Sequence, residues 1–341
     1  MTTAPEDWTT PGIFEVAAGV YRIPLPLPND GLRAVNVYVI VGDDELVCVD
    51  SGWALPHSRK LFVEALATLG CGPADIDRFL VTHVHRDHYT QAIALRRDFS
   101  TPVSLGEGER LALETILDPN RVPMASQLRQ LRLYGAKGLA DQIAADVRER
   151  DEPDGFEWEL PNDWLEDGEL VLRSGRRLQI VETPGHTRGH VVFHDQAAEL
   201  LFAGDHVLPT ITPSIGFEPV PSPNPLGDFL GSLERVRRLP DAMLLPAHGA
   251  VTASVHARID ELVDHHGRRL DQAMAALHAG AVTAFEVACQ LPWTRRERRF
   301  DELDMFNQRL AVSETGAHLE LLVTQGRATK TLDENVYNYA A

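Results

Sequence analysis

Between Ile13 and Asp50 the chain alternates short apolar runs with turn-forming clusters. The runs FEVAAGVYRIPL (14–25), LRAVNVYVIV (32–41) and ELVCVD (45–50) are separated by Pro28-Asn29-Asp30-Gly31 and Gly42-Asp43-Asp44, a pattern that predicts antiparallel strands. The period then lengthens. Residues 56–69 place Leu61, Phe62, Ala65, Leu66 and Leu69 at helical spacing, Asp77 to Thr82 reads as a strand, and HYTQAIALRRDF (88–99) reads as a helix. Strand and helix alternate here, so the core is predicted to be α/β. From Gly106 to Glu152 the spacing is helical throughout and charges are frequent, which marks a helical insertion at about 106–152. Its functional role would be a lid, with Leu128, Leu131 and Tyr134 as an apolar wall over the site.

Strands resume at Glu169–Leu172 and Arg177–Glu182, followed by a hairpin from His194 to Phe202. A proline-rich stretch, Leu208 to Leu226, is long for a loop inside a compact domain and reads as a binding loop. Asp228 to Arg238 is a helix, and Ala242 to Leu245 is a short strand. Beyond residue 252 the pattern turns helical. Val255 to Leu277 carries an apolar face, Thr283 and Glu286 form a capping box, and a third helix runs from Leu303 to Thr324 with a break expected near Thr315-Gly316. A turn at Gln325-Gly326-Arg327 leads into a β-wing ending at Tyr339. Three helices and a wing predict a winged-helix-like module over 253–341, after a first domain over 1–252.

The candidate chemistry lies at the ends of apolar runs. In FLVTHVHRDHY (79–89), His83, His85, Asp87 and His88 follow the strand directly. Side chains two apart on extended backbone project to one side, so His83 and His85 can hold one ion together, while Asp87 and His88 point to a neighbouring position. Three further runs end in the same way: TPGHTRGH brings His186, LFAGDH brings Asp205, and LLPAHG brings His248. Five histidines and two aspartates supply two sites of three ligands and a shared carboxylate. Such a crowd of donors is costly to bury unless a cation sits among them. His190 reads as a buried structural group, and His206 is open to either a supporting or a substrate-contacting role. His57, His194, His256, His265, His266, His278 and His318 read as ordinary loop or helix residues.

The ordered series HxHxDH, His, Asp, His resembles the metallo-β-lactamase fold hydrolases over residues 13–250. The resemblance implies a four-layer αββα sandwich with two metals at one edge between the sheets. It implies that His83, His85 and His186 hold the first metal, that Asp87, His88 and His248 hold the second, and that Asp205 bridges them. Asp50, in VDSGW, matches a position that supports the ligands from behind. Two divalent ions about 3.5–4 Å apart bring a water to a pKa near neutrality and polarise a carbonyl or phosphoryl oxygen, with Asp87 orienting the nucleophile. Histidine and carboxylate ligands suit two zinc ions, and iron or manganese would also fit.

Charge and composition bear on the substrate. The chain has 341 residues and a net charge of −18, which repels nucleic-acid phosphate unless a basic patch overcomes it. Residues 251–341 hold 10 Lys/Arg against 13 Asp/Glu, and the one basic knot is Arg295-Arg296-Glu297-Arg298-Arg299. A core of this kind with a winged-helix-like tail resembles a subgroup containing an endoribonuclease and acyl-thioesterases, and the acidity favours the latter. The expected function is therefore hydrolysis of a small-molecule thioester or ester, of acyl-CoA or glutathione-thioester type, with nucleic acid disfavoured as a partner. The alternatives are RNA phosphodiester cleavage and, in another class, a mononuclear iron persulfide dioxygenase. Three scattered cysteines without a CxxC, and no basic-then-apolar leader in residues 1–12, predict a cytoplasmic protein. No run approaches the ~20 apolar residues of a membrane span, and a homodimer is compatible with the sequence.

Overall fold

The computed structural model describes residues 7–28, 31–149 and 157–341. The first half contains strands β1 (Phe14–Ala17), β2 (Val20–Pro26), β3 (Ala34–Val41) and β4 (Leu46–Val49), helix α1 (Pro56–Thr68), β5 (Arg78–Val81), α2 (Arg86–Phe99) and β6 (Val103–Gly106). The insertion follows as α3 (Arg110–Leu117), α4 (Ala125–Leu133) and α5 (Lys137–Glu149). The end of the predicted insertion, residues 150–152, lies outside the described residues, as do the first six residues and Asn29-Asp30 of the predicted turn. The second half holds β7 (Asp163–Leu165), β8 (Gly168–Val171), β9 (Arg177–Glu182), β10 (Val191–Asp195), β11 (Leu200–Gly204), α6 (Pro225–Arg237) and β12 (Met243–Pro246). The chain ends with α7 (Val255–His278), α8 (Ala284–Gln290), α9 (Met305–Thr324), β13 (Thr329–Asp333) and β14 (Val336–Ala340).

Two sheets form the centre. One has seven strands in the order β1-β2-β3-β4-β5-β6-β7, and the other has five in the order β12-β11-β10-β9-β8. The first is antiparallel from β1 to β4 and parallel from β4 to β7. The period of two along each strand builds the layers. In β3, Tyr38 and Ile40 face the second sheet, while Val35, Val37 and Val39 face the other way, onto Phe62 and Leu66 of α1 and Tyr89 and Ile93 of α2. In the second sheet Phe193, Leu200, Phe202 and Leu245 meet those inner residues, and Val192, Leu201, Ala203 and Leu244 face α6 and α7. Because both faces of each sheet are covered, the central strands read as nearly continuous apolar runs. The result is a four-layer αββα sandwich, as expected. Among the described residues no helix is long and apolar enough to cross a membrane.

Strands β6 and β7, at four and three residues, are too short to show a period in the sequence and were not expected. Two expectations are corrected. Helix α9 runs unbroken through Thr315-Gly316. Gly316 serves packing: a Cβ there would stand 2.2 Å from the Tyr134 ring, so the glycine lets α9 approach the end of α4. Leu128, Leu131 and Tyr134 are buried in one cluster with α7, α8 and α9 and do not form an open apolar wall. That cluster crosses residue 252 without interruption, so the C-terminal helices and the insertion share one core with the outer face of the second sheet.

Replacing glycine by alanine inside a helix ordinarily raises stability by about 1 kcal/mol. At Gly316 the Tyr134 ring reverses the sign, and Gly316→Ala is expected to lower stability by roughly 1–3 kcal/mol. A denaturation midpoint that stays put or rises would show that Tyr134 can step aside.

Candidate metal centre

Five strands of the two sheets end at one edge of the sandwich, each followed within two residues by a polar residue. After β4 comes Asp50, after β5 Thr82 and His83, after β9 the loop to His186, after β11 Asp205, and after β12 His248. His85 caps α2 with extended backbone, and Asp87 and His88 occupy that helix's first turn, where an acidic residue is favoured by the helix dipole. Asp50 has a φ of 60°. Aspartate tolerates this left-handed conformation better than most residues, and it turns the chain sharply off β4 beneath the site.

The seven predicted donors converge into two groups. His83 Nε2 lies 3.0 Å from His85 Nδ1, and His186 Nε2 lies 3.1 Å from the same atom. Asp205 Oδ2 closes this group, 3.4 Å from His186 Nε2 and 3.9 Å from His83 Nε2. In the second group Asp87 Oδ2 stands 3.4 Å from His248 Nε2 and 3.6 Å from His88 Nε2. Asp205 Oδ1 completes it, 3.3 Å from His248 Nε2 and 3.7 Å from His88 Nε2. One carboxylate thus gives one oxygen to each group. Donors around a tetrahedral ion with bonds of ~2.1 Å stand roughly 3.4 Å apart, and these spacings bracket that value.

Hydrogen bonds behind the donors decide which nitrogen faces inward. His88 Nδ1–H donates to Asp50 Oδ2 at 2.9 Å, His186 Nδ1–H to the Ser214 carbonyl at 2.8 Å, and His248 Nδ1–H to the Ala34 carbonyl at 2.7 Å. His83 Nδ1 meets Thr82 Oγ1 at 3.1 Å, and that hydroxyl donates to Asp50 Oδ1 at 2.9 Å. Each of these four rings therefore turns Nε2 inward as the nitrogen that can give its lone pair to a cation. His190 Nδ1–H donates to Thr183 Oγ1 at 2.8 Å, and its Nε2 accepts from the Asp205 backbone N–H at 3.1 Å, which fixes the shared carboxylate. His88 Nε2, His248 Nε2 and Asp205 Oδ1 are buried with no hydrogen-bond partner. Buried, unpartnered atoms of this kind are costly in a folded protein, and a cation satisfies all three at once.

The two groups differ electrically. Burial, aided by the neighbouring imidazoles, pushes His83 well below its ordinary range, His85 to about 3 and His186 to about 4. In the second group burial acts in the same direction on His88, but Asp87, Asp50 and Asp205 overcome it and raise that imidazole to about 10. His248 is raised for the same reason. For Asp87, burial opposes ionisation, and His88 and His248 still hold its carboxyl far below the usual range.

Behind the His186 loop sits a second layer that the sequence did not announce. Glu109, fully buried, accepts from the Val84 N–H at 3.3 Å and from the Thr187 hydroxyl. Glu218 accepts from the Arg188 N–H at 3.1 Å. Loops 106–109 and 187–190 touch so closely that a Cβ on Gly189 would lie 2.0 Å from the Glu109 nitrogen, and one on Gly106 would lie 2.0 Å from the Gly189 carbonyl oxygen. The one clue in the sequence was an acid set among glycines, GEGE at 106–109, directly after an unrecognised strand. Burial raises Glu109 to about 7, and burial with Glu109's own charge raises Glu218 to about 8. His190 is the structural group it was expected to be. His206 is fully buried with its ring edge-on to Phe229 at 5.2 Å, which places it beneath the site and not in contact with solvent.

The sequence pattern of the Metallo-beta-lactamase superfamily matches residues 30–248. A crystal structure of the metallo-beta-lactamase family protein TTHA1429 from Thermus thermophilus is similar to this chain at 31% identity and a TM-score of 0.77, covering 96% of this chain and 99% of that one. A probable metallo-hydrolase of Bacillus subtilis, YqjP, is 25% identical over 92% of this chain and 94% of its own length. The bovine acyl-coenzyme A thioesterase MBLAC2 is 25% identical over 67% of this chain and 78% of its own.

Two outcomes follow from the supporting contacts. Asp50→Asn preserves the left-handed backbone but removes the charge behind His88, and it is expected to weaken metal retention about 10–100-fold in a competition with a chelator; unchanged retention would mean that Asp50 does not hold His88. For Glu109 the sign is set by its raised value. As pH rises from about 4.5 to about 7 the unfolded chain releases this proton while the folded chain keeps it, so stability falls across that window. In the presence of chelator, Glu109→Gln should therefore gain stability relative to the wild type at pH 8 compared with pH 5, and parallel pH profiles for the two proteins would refute this.

Proposed function

The chain belongs to the Metallo-beta-lactamase superfamily, and on that premise we propose that it is a two-metal hydrolase acting on a small-molecule thioester or ester of acyl-CoA or glutathione-thioester type. The observation that carries the reading is Asp205, whose two oxygens each face one complete trio of donors. His83, His85 and His186 would hold one ion, Asp87, His88 and His248 the other, and Asp205 both. The donor set suits zinc, and iron or manganese also fit it. When bound, such a pair of ions supplies a hydroxide at neutral pH and polarises the oxygen of the bond under attack.

The chain's own residues then have defined tasks. Asp50 and the Ser214 and Ala34 carbonyls keep three imidazoles in the tautomer that presents Nε2. His190 holds the Asp205 backbone in register. Asp87, in the first turn of α2 with 14% of its side chain exposed, is the acid placed to orient the attacking water, while Asp205 is the more enclosed of the two at 8%.

The thioester reading is supported by the likeness to an acyl-coenzyme A thioesterase along two thirds of the chain, and the net charge of −18 weighs against a long polyanion. Cleavage of RNA is disfavoured by the same charge. The arginine knot at 295–299 is an exposed turn, in which Arg295 donates to the Thr210 carbonyl and Arg299 pairs with Asp301. A mononuclear iron dioxygenase would leave the Asp87, His88 and His248 trio without a task. We also read residues 253–341, with three helices and the β13–β14 hairpin, as a winged-helix-like module.

The deciding experiment is a panel of acyl-CoA, glutathione thioester, RNA and persulfide substrates offered to the zinc-loaded chain. Thioester hydrolysis should vanish on chelation, and Asp205→Asn should lower kcat/KM by more than the ~100-fold limit of a supporting residue. RNA cleavage or oxygen uptake without thioester turnover would overturn the reading.

A further inference from the structure

A second set of metal-capable side chains lies in the C-terminal helices. His265 and His266 are neighbours on α7, and Glu314 and His318 lie one turn apart on α9. One ligand atom from each of His265, His266 and Glu314 falls within 4.8 Å of the others. The set is distinct from the strand-end centre, because the Phe229 ring stands between His206 and His266, at 5.2 Å from the first and 5.5 Å from the second.

The tautomers follow from the hydrogen bonds. His318 Nδ1 lies 2.8 Å from the Glu314 carbonyl oxygen, which can only accept, so the proton is on Nδ1 and Nε2 carries a lone pair. His266 Nδ1 lies 3.2 Å from that Nε2 and must be the donor. His266 Nε2 is thereby left as a bare lone pair, fully buried and without a partner. The competing charges are three arginines that act on His265: Arg269, which draws on the Glu314 carboxylate and is anchored over the Trp293 ring at 4.3 Å and by the Pro292 carbonyl at 3.0 Å, Arg258, which is held by the Leu208 and Ile211 carbonyls, and Arg268.

We propose that His265, His266 and Glu314 form a further divalent-cation site, separate from the strand-end centre, that ties α7 to α9. Two imidazoles and one carboxylate select a borderline ion such as zinc over magnesium or calcium. His265 and Glu314 are each partly exposed, so an ion can reach the set from solvent. Three protein ligands leave a fourth position for water.

The test uses the full chain, loaded with zinc, desalted and assayed for metal per chain by mass spectrometry. The wild type should retain one ion more than either His265→Ala or Glu314→Gln, and both variants should keep wild-type hydrolytic activity. A chain carrying His186→Ala, His248→Ala and Asp205→Asn, which takes one ligand from each half of the strand-end centre and the carboxylate they share, should still show a rise in Tm on adding zinc, and adding His265→Ala to it should abolish that rise. If His265→Ala and Glu314→Gln retain as much zinc as the wild type, or if the extra ion is lost on desalting, the site does not exist. Loss of the strand-end ions alone bears on the hydrolase reading and leaves this one standing.

Discussion

Everything at the sheet edge answers to one requirement: lone pairs from seven side chains must be held facing one another in a buried space. Without a cation this arrangement is repulsive, and the fold sustains it by fixing each donor from behind. Asp50 grips His88 and, through Thr82, His83, while main-chain carbonyls at Ser214 and Ala34 grip His186 and His248. His190 holds the Asp205 backbone. Leaving one buried polar group unpaired typically costs about 1–3 kcal/mol, so the three unpartnered atoms His88 Nε2, His248 Nε2 and Asp205 Oδ1 represent a cost that metal binding would recover. The centre is pre-organised for ions before any ion arrives.

The two halves of the centre are not equivalent. His83, His85 and His186 are neutral donors with one oxygen of Asp205, whereas the other half adds Asp87 and has Asp50 behind it. The acid-rich half demands positive charge, and in the absence of metal its carboxylates favour a proton on His88 and shift His248 in the same direction. Loading that half therefore means displacing protons, and loading the other does not. Two ions bound by one bridging carboxylate can for this reason differ in affinity and in pH dependence although their donor counts match.

How much of this was legible depended on whether a feature was local. The ligand series could be read because each donor follows an apolar run that stops abruptly, as at Val81-Thr82-His83 and Ala203-Gly204-Asp205. The layers could be read because β3 alternates Val35, Val37 and Val39 with Tyr38 and Ile40. Features that depend on distant partners were invisible. Gly316 looked like a helix break, and only the Tyr134 ring from α4 shows why a glycine stands there. Leu128, Leu131 and Tyr134 were apolar in a segment that looked like a lid, but their neighbours on α9 decide that they are core. His265, His266 and His318 looked ordinary because no spacing along the chain announces that α7 and α9 bring them together.

The C-terminal helices also bear on the metal centre through the proline-rich loop. Ser214 in that loop accepts the His186 Nδ1 proton, and Glu218 accepts from the Arg188 N–H two residues beyond that histidine. The same loop is tied to α7 by Arg258, which donates to the Leu208 carbonyl at 2.5 Å and the Ile211 carbonyl at 2.8 Å. It is tied further on by Arg295 to the Thr210 carbonyl. On α9 the Arg309 guanidinium lies 4.0 Å over the Phe217 ring, with the Phe306 ring 5.8 Å from that of Phe217, contacts that carry cation–π and aromatic stabilisation of about 0.5–1.5 kcal/mol each. A loop without regular structure has little of its own to keep a carbonyl in place, so the orientation of His186 is set in part by Arg258, Arg295 and Arg309, far later in the chain. The C-terminal segment is therefore structural support for one wall of the centre, and a displacement of α7 or α9 would be felt first at His186 and last at His83, whose supports, Thr82 and Asp50, lie in the first sheet.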